Sequence, residues 1–92
     1  MTKNLHANHR KRVRARFINE GSLDNFEEHQ ILELLLFYAV PRRDTNELAH
    51  RLIIEYGNLY NLMNAKPEDI IKRCKVSETT AVLISMLPYV FR

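Results

Sequence analysis

The residues whose types and spacing could do chemistry lie in a short basic segment near the N-terminus. Residues 1–20 hold six basic residues against Glu20 alone, a net charge of +5, whereas the rest of the chain carries a net charge of −2. Closely spaced cations repel one another unless anions neutralise them. The segment therefore suggests a polyanion such as DNA as partner, contacted through backbone phosphates. The candidate residues are Arg10, Lys11, Arg12, Arg14 and Arg16.

A solvated helix face explains the same segment equally well, because long basic side chains can cover apolar surface while their heads stay in water. Val13 and Phe17 are four residues apart, which predicts that both face the core of a helix bundle. The basic residues flank this stripe, and we expect the guanidinium groups of Arg10 and Arg14 to lie in water.

Two other places could bind an anion. In the turn Lys75-Val76-Ser77 before the last helix, Lys75 could attract a phosphate and Ser77 could cap the helix. An ordinary cap between two helices is the favoured interpretation of this turn. Arg42 and Arg43 follow the longest apolar segment, and cations there also suit the C-terminus of a helix.

The sequence contains no pattern typical of an enzyme or of a metal site. His6 and His9 are three residues apart, but structural zinc usually takes four ligands. His29 and His50 have no partners at ligand spacing, and Cys74 lies among apolar residues. No nucleophile–base pair and no glycine-rich phosphate loop are present. We therefore expect no catalysis, no cofactor and no metal site.

The segment 26–40, which is apolar at every position from Ile31 to Val40 except Glu33, predicts the central helix of an all-α domain. Asp24 or Asn25 could cap its start, and Pro41 ends it because proline cannot donate the next backbone hydrogen bond. Such a helix should be buried on all sides. The residues predicted to be strongly buried are Leu34, Leu35, Phe37, Tyr38 and Leu52.

Residues that cap or end helices predict the other helices, and together they give a compact bundle of five or six short helices. Helix one spans about 9–20 and closes at Gly21, after an arm at 1–8 that we expect to be mobile. Asp44 starts a helix that ends at Gly57. The remaining signals are a cap at Asn58, a first-turn proline at Pro67, a cap at Ser77, and Pro88, which predicts a kink or an early stop.

The length of 92 residues predicts one domain, which spans residues 9–92. We expect no strand, because no segment alternates between apolar and polar residues as a half-buried strand would. The longest apolar run, 34–40, is far shorter than the roughly 20 residues that a membrane span needs. The polar start has no apolar segment of the kind found in secretory signals. With a single cysteine that cannot form an internal disulfide, these features predict a cytoplasmic protein that does not contact membranes.

The last residues, 86–91, all have apolar or aromatic side chains, and the helix ends without a cap. Val90 and Phe91 could fold back into the core. Alternatively, the chain is a fragment of a longer protein, or this end contacts a partner.

Three segments of the sequence resemble the N-terminal domain of the RadC-like family. They are His9-Arg-Lys-Arg-Val-Arg-Ala-Arg-Phe17, Glu33-Leu-Leu-Leu-Phe-Tyr-Ala-Val-Pro-Arg-Arg-Asp-Thr45 and Leu48-Ala-His-Arg-Leu-Ile-Ile-Glu-Tyr-Gly-Asn-Leu59. The resemblance implies a helical domain related to helix-hairpin-helix modules, here with a degenerate C-terminal half. It also implies a label of DNA repair and a following JAB/MPN-type domain with a metallopeptidase-like site, which this sequence lacks.

The sequence departs from that family at one turn. Many members have a Gly-hydrophobic-Gly turn before the last helix, where this chain has Lys75-Val76-Ser77. Side chains at the two glycine positions would hinder close approach of the backbone to a phosphate. Two functions therefore stay open: a non-catalytic domain that binds DNA backbone, or a protein-interaction module that positions a JAB/MPN-type domain.

Overall fold

A computed structural model describes residues 5–41 and 44–91, with side chains from residue 7 onward. This part of the chain forms six α-helices and no strand, which confirms the all-α prediction and the predicted number of helices. The helices are α1 (Leu5–Glu20), α2 (Glu28–Leu36), α3 (Thr45–Tyr56), α4 (Leu59–Met63), α5 (Pro67–Cys74) and α6 (Glu78–Val90). None of the described helices is long and apolar enough to cross a lipid bilayer.

The helix ends after residue 44 follow the predicted chemistry. The side chain of Asp44 accepts hydrogen bonds from the backbone of Asn46 and Glu47, and Gly57 closes α3 with a φ of 91°. Asn58 caps α4 by accepting from the backbone of Asn61 at 2.7 Å. The predicted first-turn proline of α5 and the serine cap of α6 are also confirmed.

The first helix begins earlier than predicted. It starts at Leu5 instead of about His9, so the second half of the predicted arm 1–8 is helical. Residues 1–4 lie outside the described residues. The side chain of Phe17 is 39% exposed, so the prediction that it faces the core is wrong, whereas Val13 is half-buried.

The central helix α2 is shorter than the apolar segment that predicted it. It begins after Glu27, which forms a capping box with Gln30, so the caps predicted at Asp24 and Asn25 are wrong. It ends at Leu36, and the next residues form a tighter turn in which backbone N–H groups bond three residues back, as from Tyr38 to Leu35. The turn, and not Pro41 itself, ends the helix.

Five helices, α2 to α6, build the hydrophobic core. Its largest fully buried aliphatic side chains are Leu32, Leu36, Leu52, Leu62, Ile70 and Ile84. No described residue of α1 belongs to this cluster. The first helix therefore lies against the body of the domain without contributing to its centre.

The predicted burial of the central segment is only partly correct. Phe37 and Leu52 are buried, but Leu34 and Leu35 are half-buried and Tyr38 is 72% exposed. The reason is that α2 packs mainly on α3, whereas its other apolar side faces an open groove beside α1. Burial on all sides was therefore the wrong prediction.

The C-terminal helix runs past its proline. Pro88 lies inside α6, which continues to Val90, so an early stop is the wrong prediction. A proline this close to a helix end disrupts little, because few later residues depend on the bond it cannot make. Val90 and Phe91 are 58% and 83% exposed, which excludes the alternative in which they fold back into the core.

Candidate nucleic-acid interface

The first predicted site residue, Arg10, uses its guanidinium group for contacts within the domain. Its guanidinium donates to the backbone carbonyls of Phe37, at 3.1 Å, and Val40, and lies 5.0 Å from the centre of the Phe37 ring. Burial lowers the pKa of Arg10 below its usual value, repulsion from Arg14 lowers it further, and Glu33 opposes both effects. The prediction that this guanidinium lies in water is wrong.

The position of Arg10 has a physical reason. The turn after α2 presents backbone carbonyls, and the C-terminus of a helix attracts cations because its carbonyl groups carry partial negative charge. Arg42 and Arg43 were predicted to lie there, but they are outside the described residues. Arg10, which is far away in sequence, provides a cation at this helix end.

Arg16 is also committed to contacts within the domain. It forms an ion pair with Glu20 at 3.0 Å and donates to the carbonyl of Asn25 at 2.7 Å and to Gln30 at 3.4 Å. Its guanidinium lies 4.0 Å from the centre of the Phe26 ring, a cation–π contact. A side chain held by so many contacts would have to give them up to reach a phosphate.

The other three basic residues of α1 differ in exposure. Lys11 and Arg12 are exposed, and neither has an ion-pair partner among the described residues. Arg14 is half-buried and lines the groove between α1 and α2. Of the five predicted residues in helix one, only Lys11 and Arg12 are therefore fully available to an external anion.

The turn between α5 and α6 has an uncommon backbone conformation. Lys75 has a φ of 59°, in the left-handed region, and is the one such non-glycine residue in the described part of the chain. Its N–H donates to the carbonyl of Ile71 at 2.9 Å and so closes α5. Glycine adopts this conformation without strain, so the lysine side chain at this position carries a steric cost.

Ser77 and Val76 fix the start of the last helix. The hydroxyl of Ser77 accepts from the backbone N–H of Thr80 at 3.2 Å and lies 3.1 Å from the hydroxyl of Thr80. Val76 is buried, which anchors the turn on the core. The favoured interpretation of Ser77 as a helix cap is confirmed, and the exposed Lys75 projects from the same turn.

A residue that the sequence did not single out joins this turn. Arg51 of α3 is exposed, and its Nη1 donates to the carbonyl of Cys74 at 2.6 Å. The guanidinium therefore lies beside the backbone that leads directly into Lys75. Because the partners are 23 residues apart and the interaction uses a backbone carbonyl, no local sequence pattern could have identified it.

Other charges near the turn limit its positive character. Arg73 forms ion pairs with Glu55 at 2.8 Å and Asp69 at 3.3 Å, so its charge is compensated. Glu78 is exposed in the first turn of α6, where it competes with any external anion. Lys72, one helical turn before Lys75, is exposed and adds a further cation.

The described residues contain no cluster of metal ligands, and the cysteine among them, Cys74, is buried. Within residues 5–41 and 44–91, no group of three or more His, Cys, Asp or Glu residues is arranged to hold a metal ion. Burial raises the pKa of the Cys74 thiol, so its reactive thiolate form is disfavoured. The side chain of His6, half of the weak histidine pair considered above, lies outside the described side chains.

His29 and His50 lie together, a juxtaposition that their sequence spacing did not predict. Their rings stack with centres 4.0 Å apart and planes 25° apart. The nitrogen lone pairs lie in the planes of the rings, so nearly parallel rings do not converge on one cation. The pair is therefore a packing contact between α2 and α3.

The fold and the site define a small helical domain with an exposed basic turn, and comparison with known proteins gives relatives for it. The chain is 46% identical over 57 residues to UPF0758 protein FN0909 of Fusobacterium nucleatum, and these residues are 62% of this chain and 24% of that protein. It is 32% identical over 79 residues to UPF0758 protein SPO0054 of Ruegeria pomeroyi, covering 86% and 35% respectively.

UPF0758 is the RadC family in curated naming, so the similarity fits the RadC-like resemblance of the sequence. The chain spans about a quarter to a third of the length of these curated relatives. No family model matches the chain, and no solved structure matches it.

Proposed function

We propose that this chain is a non-catalytic RadC-like N-terminal domain that contacts the DNA backbone without reading its sequence. The observation that carries the proposal is the exposed Lys75 at the entrance to α6, with Arg51 held beside the preceding carbonyl. Two cations at a helix N-terminus form a favourable environment for a phosphate, because the backbone N–H groups there carry partial positive charge.

The chemistry of the turn favours phosphate over base edges. Lys75 presents a point charge on a flexible stem, which suits a phosphate oxygen but does not discriminate among bases. Lys11 and Arg12 on α1 supply a second place where the backbone could be held. Arg10 and Arg16 are left out of the proposed interface, since both maintain the packing of α1.

The resemblance to RadC-like proteins, whose historical label is DNA repair, supports this proposal by analogy. The absence of a recognisable catalytic pattern in the sequence motivates the non-catalytic part. A reducing cytoplasm suits the single, buried Cys74, and we propose that location for the protein.

Chemical-shift mapping with an isotope-labelled chain and a short DNA duplex at low salt tests where DNA contacts the domain. We expect the backbone amides of residues 75–80 and of Arg51 to shift most, followed by those of residues 11 and 12. Shifts confined to other surfaces, or none at low salt, would overturn the proposal. A duplex of scrambled sequence should give the same pattern, because phosphates are the contacts.

A second function is favoured by a different observation, the apolar groove between α1, α2 and α6. Monomeric proteins seldom expose a continuous apolar surface of this kind without using it for binding. We therefore keep the proposal that the domain is a protein-interaction module, which in a longer protein could position a JAB/MPN-type domain. The α5–α6 turn proposed as the main phosphate contact shares no residue with this groove, so the two functions do not exclude each other.

A further inference from the structure

An open apolar groove of about 480 Å³ lies between α1, α2 and the end of α6. Its walls include the side chains of Phe17, Ile18, Leu34, Leu35, Leu87 and Phe91. Ile18 and Phe91 are 75% and 83% exposed, so the rim is apolar as well as the floor. The groove exists because α1 does not contribute to the core and so leaves the second apolar side of α2 uncovered.

One cation interrupts this apolar surface. Arg14 is half-buried, and it is the one charged side chain that lines the groove in the described part of the chain. It has no ion-pair partner among the described residues, and it lies close enough to Arg10 to repel it. Lys11, one helical turn earlier on α1, is exposed and adds positive charge at the same end.

The walls of the groove restrict the conformation of an occupant. The walls are mostly helical, and the described part of the chain contains no strand, so the groove offers no strand edge to an extended peptide. An extended peptide would leave its own N–H and C=O groups without partners in an apolar setting. A helix satisfies its backbone internally and presents only side chains.

We infer that the groove binds an amphipathic helix of a partner protein that carries carboxylates at the end of its apolar stripe facing Arg14. The inference rests on the interaction-module function and specifies the chemistry of the partner. An uncompensated cation at the edge of an apolar surface gains most from an anion that arrives with apolar groups, because the local dielectric constant is low.

A second copy of the chain fits this description less well. Its own exposed apolar end, residues 86–91, contains no carboxylate that could neutralise Arg14. Bringing two copies together through α1 would instead place basic surfaces against each other, which is unfavourable.

Binding of designed peptides to the full chain, measured by fluorescence anisotropy, tests the inference. The probe is a labelled amphipathic helical peptide with a leucine stripe and two glutamates at one end of it. The matched probe has glutamines in place of the glutamates. We expect the acidic peptide to bind about three- to tenfold more tightly than the neutral one, the range for a partly exposed ion pair.

Three variants locate the binding surface and the source of the preference for the acidic peptide. Arg14→Gln should abolish the preference for the acidic peptide, whereas Arg12→Gln, on the exposed face of α1, should leave it unchanged. Ile18→Glu should weaken both peptides, because it places a charge on the apolar rim. Circular dichroism and thermal unfolding of each variant establish that it is folded.

The other possible results of the peptide-binding experiment each contradict a specific part of the inference. Equal binding of both peptides, lost in Ile18→Glu, would overturn the acidic partner while supporting a docking groove. No binding of either peptide would overturn the groove as a helix-docking site together with the interaction-module function. A dimer in solution that Ile18→Glu dissociates would identify a second copy as the occupant and overturn the inference.

Discussion

His9 Nε2 lies 2.9 Å from Glu33 Oε2, and this contact joins α1 to the buried side of α2. The side chain of Glu33 is 3% exposed, so its carboxylate depends on partners supplied by α1. Arg10 and Arg16 anchor the same helix to the turn after α2 and to the loop before it. The first helix is therefore held by polar and cation–π contacts at three places instead of by the core.

Removing the imidazole should loosen the first helix. His9→Ala leaves the buried carboxylate of Glu33 without this partner, and we expect a loss of about 1–3 kcal/mol in the free energy of unfolding. Hydrogen exchange should rise most in α1. Lys11→Ala on the exposed face of the same helix is the matched control, with an expected change within about 0.5 kcal/mol. Equal effects of the two substitutions would contradict the anchoring role of His9.

Two leucines of α2 should differ in their contribution to stability. Leu32 is fully buried, so Leu32→Ala should cost about 2–5 kcal/mol in urea unfolding. Leu35 is half-buried on the groove, and Leu35→Ala should cost less than about 2 kcal/mol, because part of its surface already meets water. If Leu35→Ala were the more damaging change, the groove would be closed in solution.

Stability should fall in acid partly through Asp69. The hydroxyl of Tyr56 donates to Asp69 at 2.6 Å, and this bond, followed by Arg73, holds the pKa of Asp69 below its usual value of 3.8. A lowered folded-state pKa stabilises the protein above pH 3.8, and this stabilisation is lost as the pH falls through the lower folded-state value.

Tyr56→Phe should therefore weaken that pH dependence. We expect the variant to be less stable than the parent near pH 6, and the difference to shrink as the pH falls through the lowered folded-state pKa of Asp69, below which this carboxyl is protonated in both states. Urea unfolding at a series of pH values measures it. A constant difference at all pH values would show that the hydroxyl stabilises the fold without acting through the charge of Asp69.

The left-handed backbone conformation of Lys75 can be tested through the stability of variants at this position. Lys75→Gly removes the steric cost of a side chain at positive φ, which exceeds the entropic cost of a glycine. We expect the free energy of unfolding to rise by up to about 1 kcal/mol. Lys75→Val should lower it, since a β-branched side chain fits this conformation poorly. A destabilised glycine variant would contradict the described turn.

Much of the fold could be predicted because caps act locally. Asp44, Gly57, Asn58 and Ser77 each mark a helix boundary through contacts or conformations within a few residues. Burial around α2 could not be predicted in the same way. Whether Tyr38 is exposed depends on how fully α1 covers α2. The contacts that hold α1 in place, such as that between His9 and Glu33, are tertiary, and the hydrophobic periodicity of the sequence cannot predict them.

In the candidate site, too, local sequence predicted some features, whereas tertiary contacts decided the others. The sequence singled out Lys75 and Ser77, which lie at one turn, but it could not distinguish the committed Arg10 from the exposed Arg12 on the same helix. Both are arginines in one basic run, and only the carbonyls after α2 decide their roles. Arg51 was missed because its partner is a backbone atom of a distant helix.

The salt dependence of DNA affinity tests the proposed phosphate contact at the α5–α6 turn most directly. About two to three phosphate contacts predict a slope of log K against log salt near −2 to −3 on a DNA duplex. Lys75→Gln, which removes the charge but keeps a side chain of similar length at this position, should flatten this slope by about one unit and weaken binding equally on unrelated sequences. Lys66→Gln, which removes an exposed charge at the opposite end of α5, should leave the slope nearly unchanged. If Lys75→Gln binds DNA with the parent's affinity and slope, the turn is not the DNA-binding surface.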